Sequence, residues 1–233
     1  MIAENLRLIK EEIAGKCAEI GRNPGEITLI AVSKNFGIDD INQAFTAGQV
    51  QFGENKVQEL QHKYEHFGSN ITWHLIGTLQ KNKVKFAVQS AEYIHSVDSL
   101  QLASEINKRA ENLGKIQKIL LQVKTSDEET KSGFSGEDEF NKAVAFCRDS
   151  KNLELIGLMT IAPFTDDVEL IRKSFRQLRE LRDDLNSKGY SIKELSMGMT
   201  DDFKIAIEEG ATMLRIGSAI FGKRDYSISW KEI

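Results

Sequence analysis

Eight short apolar runs, separated by amphipathic stretches, constrain this chain more than any other feature. The runs lie near 27–33, 50–53, 72–77, 92–95, 116–123, 153–160, 193–197 and 212–216. The stretches between them lie near 38–48, 54–66, 80–88, 99–112, 137–149, 166–187 and 201–209. Strands that alternate with helices belong in a parallel sheet, because each crossover helix returns the chain to the end where the next strand starts. In the stretch at 166–187, Ile171, Phe175, Leu178, Leu181 and Leu185 form an apolar stripe with arginines and acids on the other face. Thr165, ahead of Asp166-Asp167, reads as its N-cap, with negative charge in the first turn. Ile2, Leu6, Ile9, Ile13, Cys17 and Ile20 recur at spacings of three and four, which adds an extra N-terminal helix. Eight βα units in 233 residues suggest a closed α/β barrel of the (β/α)8 (TIM) type, one domain over 1–233. An open doubly wound sheet is the competing architecture. The count of eight and the lack of a Gly-rich dinucleotide fingerprint after any strand favour the barrel.

Bulk properties narrow the function. A net charge of −4 argues against a broad nucleic-acid surface. No apolar stretch approaches the roughly 20 residues that span a bilayer, and the N-terminus is charged and amphipathic, unlike a signal peptide. Cys17 and Cys147, both on predicted helices, fit a reducing cytoplasm better than a disulfide framework. His62 and His66 have helical spacing but no third ligand nearby, so they read as a solvated face and no metal site is expected.

In a barrel the carboxyl ends of all strands meet on one face, and function sits there. Those ends read Lys34, then Glu54-Asn55, His74, Ser96, Lys124, Met159-Thr160, 196–199 and 215–218. Lys34 ends the first run and is followed by turn-like Asn35-Phe36-Gly37. A lysine in a partly desolvated mouth loses part of its preference for the charged form and can attack an aldehyde; it also reads as a lysine that ends a strand in solvent. Asn55 is either a pocket residue or a helix N-cap, and His74, inside an apolar run, reads most simply as a satisfied core residue. Ser196-Met197-Gly198 supplies a hydroxyl and a glycine that lets backbone approach a ligand. Gly217-Ser218 follows the last strand, where barrels often bind phosphate. Asp201-Asp202 already occupy the positive end of the next helix, which places the phosphate between Ser196 and the amides of Gly217 and Ser218. Arg215, predicted to line the barrel, needs either a buried carboxylate or an acceptor on a ligand. An amine at the first strand and an anion site at the last two suggest a phosphorylated aldehyde held as a Schiff base.

Together these residues resemble the pyridoxal 5′-phosphate homeostasis family (YggS/PROSC type), itself similar to the N-terminal barrel of bacterial alanine racemase, a fold-type III pyridoxal phosphate barrel. The resemblance covers nearly the whole chain. It is carried in order by Ala31-Val32-Ser33-Lys34, Phe52-Gly53-Glu54-Asn55, Trp73-His74-Leu75-Ile76-Gly77, His95-Ser96-Val97-Asp98, Lys131-Ser132-Gly133, Gly157-Leu158-Met159, Leu195-Ser196-Met197-Gly198-Met199 and Arg215-Ile216-Gly217. It implies pyridoxal 5′-phosphate as cofactor, with Lys34 carrying the internal aldimine. It implies that Ser196, Gly217 and Ser218 hold the phosphate, within the loop that includes Met197 and Gly198, that Arg215 faces the pyridine nitrogen, and that Asn55 and His74 line the ring pocket. Lys56, Lys124 and Asn35-Phe36-Gly37 depart from the family pattern around the mouth.

An arginine stays charged and cannot accept a proton, so it leaves a facing ring nitrogen unprotonated and weakens carbanion stabilisation. Racemisation also needs two opposed bases. In alanine racemases, as the resemblance has it, the second base comes from an additional domain and the partner subunit, and this chain ends at Ile233 without room for that domain. The expected protein is a cytoplasmic, monomeric carrier that buffers pyridoxal phosphate and hands it to pyridoxal-phosphate-dependent apo-enzymes without turnover of its own, with Lys131 taking up the aldehyde transiently during release. A single-domain amino-acid racemase, a Schiff-base aldolase or phosphosugar enzyme, and a scaffold are the alternatives.

Overall fold

The computed structural model describes residues 1–126 and 132–223. Eight parallel strands close into a barrel in chain order. They are β1 (Thr28–Val32), β2 (Gln51–Glu54), β3 (Thr72–Leu75), β4 (Tyr93–Val97), β5 (Gln117–Gln122), β6 (Leu153–Met159), β7 (Glu194–Ser196) and β8 (Met213–Ile216). β1 pairs with β2 on one side and β8 on the other, which rules out the open sheet. The helices around it are α1 (Ile2–Glu19), α2 (Ile38–Thr46), α3 (Val57–Phe67), α4 (Val84–Ser90), α5 (Leu100–Asn112), α6 (Glu137–Asp149), α7 (Val168–Ser187) and α8 (Phe203–Glu208). A short α9 (Ser218–Phe221) follows the last strand.

The strand period of two sorts side chains to two cores. Outward residues such as Phe52, Trp73, Leu75, Ile119, Leu195 and Leu214 join the helices' apolar faces in one large cluster. Inward, Ile30, Leu120, Met159 and Met213 form a small apolar cluster, with Tyr93, Ile156 and Ile161 packed against it. Other interior positions are polar: His74, His95, Ser196 and Arg215 are all buried. This inward phase runs Ile30, Val32, Lys34 along the first strand and its loop, and Met213, Arg215, Gly217 along the last.

The extra helix α1 buries Ile2, Leu6, Ile9, Ile13 and Cys17, roughly 1.5–3 kcal/mol for each large aliphatic side chain. It packs on α2, α8 and α9, and Asn5 donates to the carbonyl of Ile220 at 2.9 Å. The cap of α7 corrects the expectation for Thr165. Asp167 is the N-cap, accepting from the amides of Glu169 and Leu170, while Thr165 accepts from the Asp167 amide one step earlier. The helix begins later than the sequence suggests, and the nearer carboxylate takes the first orphan amides. Among the described residues, no helix is long and apolar enough to cross a membrane.

Candidate functional site

A cavity of about 260 Å³ opens at the carboxyl ends of the strands, with Lys34, Asn55, Thr200, Arg215, Gly217 and Ser218 on its wall. Val32, Ile76, Met159 and Ile161 supply its apolar side. Larger cavities of about 480 Å³ and 370 Å³ are lined by residues where strands begin, such as Thr28, Gln51 and Tyr93. Size therefore does not select the site; the convergence of amine, guanidinium and hydroxyls does.

The lysine loop is braced from outside the barrel. Ser33 Oγ donates to Glu54 Oε1 at 2.6 Å, and the Asn35 amide donates to Glu59 Oε1 at 2.6 Å. Lys63 Nζ donates to the Ser33 carbonyl at 2.7 Å, to Glu54 Oε1 at 2.7 Å and to Glu59 Oε1 at 2.8 Å. Asn35 adopts a left-handed φ of 62°, and the Phe36 amide closes the turn on the Ser33 carbonyl. Phe36 then stacks on Phe221 of α9, ring centres 4.9 Å apart, so the lysine loop and the loop after the last strand are joined at the rim. Lys34, half-buried between these contacts, projects to the cavity.

Burial raises the Glu54 carboxyl to about 7; Lys63 opposes the rise and Glu59 adds to it. Two carboxylates share one ammonium here, and Oε2 of each acid is buried without a hydrogen-bond partner among the described residues. Burial and the neighbouring Glu59 thus favour the protonated form of Glu54, the form that balances the charge.

The opposite rim is a loop of hydroxyls and backbone. Ser218 Oγ donates to Thr200 Oγ1 at 3.1 Å. Asp202 accepts from the Met199 amide at 2.5 Å, which folds the loop back over α8. Gly198 holds a positive φ of 94°, and a Cβ there would come within 2.6 Å of the Ala206 methyl. Gly77 lies against Asn55 so closely that a Cβ would sit 2.4 Å from its carbonyl oxygen. Asn55 is therefore set on the wall by packing, and Lys56 takes the N-cap position of α3.

The interior carries a continuous hydrogen-bonded chain. Arg215 donates to Ser196 Oγ at 2.7 Å and to the Thr160 carbonyl at 2.9 Å. Ser196 Oγ lies 2.9 Å from His95 Nδ1, His95 Nε2 lies 2.9 Å from His74 Nδ1, and His74 Nε2 lies 2.7 Å from Gln51 Oε1. Burial depresses His74 to about 3, and it depresses His95 well below the usual histidine range, with His74 and Arg215 adding repulsion. Burial also lowers Arg215 to about 10, which leaves it charged at neutral pH. Its hydrogen bonds go to a hydroxyl and a carbonyl.

These placements correct part of the expected site. Lys34, Asn55, Arg215, Gly217 and Ser218 meet at the cavity. Ser196 is not on that wall: its buried hydroxyl lies between His95 and Arg215. His74 lies one layer deeper in the barrel. Met197 points into the outer core, and Gly198 is a packing glycine whose carbonyl accepts from the Arg215 amide. Thr200 takes the wall position expected of Ser196. Offset alone does not find it: Lys34 and Ser218 lie two residues past their strand ends, whereas Thr200 lies four past the end of β7. Lys131 lies outside the described residues.

The family model for the alanine racemase N-terminal domain matches residues 2–225. The chain is 40% identical over 225 residues to the pyridoxal phosphate homeostasis protein of Aquifex aeolicus, covering 96% of this chain and 98% of that one. The chain belongs to the pyridoxal phosphate homeostasis family. Its similarity to the family member of Escherichia coli K12 is 41% over 234 residues, covering 97% and 98% of the two chains. Among solved structures, PipY of Synechococcus elongatus with pyridoxal phosphate bound superposes with a TM-score of 0.83 at 35% identity, covering 95% of this chain and all 100% of that one.

Proposed function

We propose that this member of the family binds pyridoxal phosphate at the barrel mouth, holds it as a Schiff base on Lys34, and serves as a cytoplasmic, monomeric buffer that delivers the cofactor to apo-enzymes without turnover of its own. The observation that carries this reading is the single cavity whose wall brings together the Lys34 amine, the buried Arg215 guanidinium and the Thr200–Ser218 hydroxyl pair. An amine, an anion cradle and a ring-sized apolar wall fit a phosphorylated aromatic aldehyde, and the cradle leaves backbone access at Gly217. When bound, the cofactor supplies an aldehyde and a conjugated ring that can take up electrons.

The chain's own groups then divide the work. Lys34 Nζ would hold the aldehyde, and the open mouth would admit the water that release needs. Thr200, Gly217 and Ser218 hold the phosphate. Arg215, which only donates, would leave a ring nitrogen that faces it unprotonated and so would disfavour carbanion chemistry. Asn55 packs at the ring edge. That arrangement suits holding and releasing the cofactor better than turning over an amino acid.

The test is the visible spectrum of the purified chain with added pyridoxal phosphate, before and after borohydride. A yellow band that borohydride bleaches, and that Lys34→Ala lacks, is expected. A protein that stays colourless overturns the reading and favours a phosphosugar barrel enzyme. Measurable racemisation of free amino acids by the loaded protein overturns the carrier role while leaving the binding role intact.

A further inference from the structure

The polar column inside the barrel has a direction. Arginine only donates, so Ser196 Oγ accepts from Arg215. At the far end Gln51 presents its amide oxygen, so His74 Nε2 must carry the hydrogen and donate. A neutral His74 then accepts at Nδ1, which requires His95 Nε2 to donate. A neutral His95 accepts at Nδ1, and Ser196 donates its hydroxyl hydrogen there. Read from the Gln51 oxygen, the chain has one sense, with every hydrogen pointing away from Arg215 and every lone pair pointing toward it.

Both histidines are held neutral by their surroundings as well as by their burial. His95 has Arg215 close by through Ser196. His74 stacks on Tyr93, ring centres 4.5 Å apart and planes 5° from parallel. Lys118 stands over the other side of the Tyr93 environment, 5.1 Å from that ring centre, and pairs with Glu92 at 2.9 Å. Arg215 opposes a second proton on His95, and burial opposes one on His74.

We propose that Gln51, His74, His95 and Ser196 are positioning residues that fix the Arg215 guanidinium in the pocket floor through this one-directional chain. Arg215 has few alternatives once the chain is formed: Ser196 and the Thr160 carbonyl fix the plane of its fork. The effect on a bound cofactor rests on the reading above, in which Arg215 faces the ring nitrogen. The fixing of Arg215 itself does not.

The experiment separates the two. In the full chain without added cofactor, labelled with nitrogen-15 at histidine and arginine, His74 and His95 are expected as neutral Nε2–H tautomers. Distinct, slowly exchanging Nη signals are expected for Arg215. Ser196→Ala removes one oxygen and should average the Arg215 signals; His95→Leu, similar in volume, should do the same from one link further away. Nδ1–H at either histidine, or unchanged Arg215 signals in a folded Ser196→Ala protein, overturns the proposal. With ring-labelled pyridoxal phosphate bound, both variants should move the ring-nitrogen resonance toward its protonated position. They should also release the cofactor about tenfold faster, the loss expected for one hydrogen bond to a charged group. If the parent protein takes up no cofactor, the functional reading fails, while the tautomer and Arg215 results still decide the chain.

Discussion

The lysine loop and the barrel interior both rest on buried polar side chains, yet one network is ionic and the other neutral. Around Lys63, two acids and one ammonium are packed between β2 and α3, and the excess acid is relieved by keeping a proton on Glu54. Along the barrel axis, two imidazoles and a hydroxyl stay uncharged and lead away from a single cation, Arg215. The first network ties a loop down through charge; the second orients one side chain through hydrogen-bond direction. Their responses to pH differ accordingly. Glu54 has a folded value of about 7 against an ordinary 4.5, so the folded state holds the extra proton and its stability is lost as pH rises through that window. His74 is depressed from 6.5 to about 3, so its contribution is present above the ordinary value and lost as pH falls toward the folded one.

Breaking the ionic side should have the largest effect. Lys63→Met leaves two buried carboxyls without their cation and should cost about 3–5 kcal/mol in urea unfolding, with the Lys34 loop exposed to proteolysis. The neutral side should fail next, in acid. At about pH 4 an unfolded histidine is protonated and His74 is not, a loss on the order of 3 kcal/mol relative to neutral pH, which a denaturation series against pH would show. His74→Gln, which keeps a donor toward Gln51, should remove the His74 share of that slope and leave the share that comes from His95. In the alkaline direction the sign reverses: the parent should lose on the order of 2–3 kcal/mol between pH 5 and 8 through Glu54, and Glu54→Gln should flatten this limb. A Glu54→Gln protein with the parent's slope would mean that the shared proton lies elsewhere. Gly77→Ala tests the wall between the networks. The added methyl collides with the Asn55 backbone and should cost about 1–3 kcal/mol while weakening cofactor uptake. Smallest is Thr200→Val, which should leave folding intact and weaken cofactor binding by about 1 kcal/mol, readable as roughly a fivefold rise in Kd by absorbance titration.

Periodicity made the frame legible. Every expected strand and helix is present, because the period of two and the period of 3.6 are both read directly from apolar spacing. Lys34, Gly217 and Ser218 were legible too, since they follow strand ends by short, fixed offsets. The depth of Ser196 was not legible: β7 has only the residues Glu194–Ser196, its hydroxyl lies inside the barrel, and the cavity wall is reached at Thr200. The ionic brace left a trace that periodicity alone does not interpret. Lys63 falls on the buried stripe of α3 between Leu60 and Phe67, with Glu59 four residues earlier, and charged residues on an apolar stripe mark a buried pair. The column was hidden because inward positions of a barrel normally carry aliphatic side chains; that His74 and His95 meet end to end depends on the β3–β4 register.

The cavity takes Lys34 from beside the first strand and Arg215, Gly217 and Ser218 from beside the last, and these strands are neighbours only once β8 has paired with β1. The cavity is therefore complete only once β8 is in place, and a chain lacking β8 has the lysine without the Arg215 floor and the Gly217–Ser218 rim.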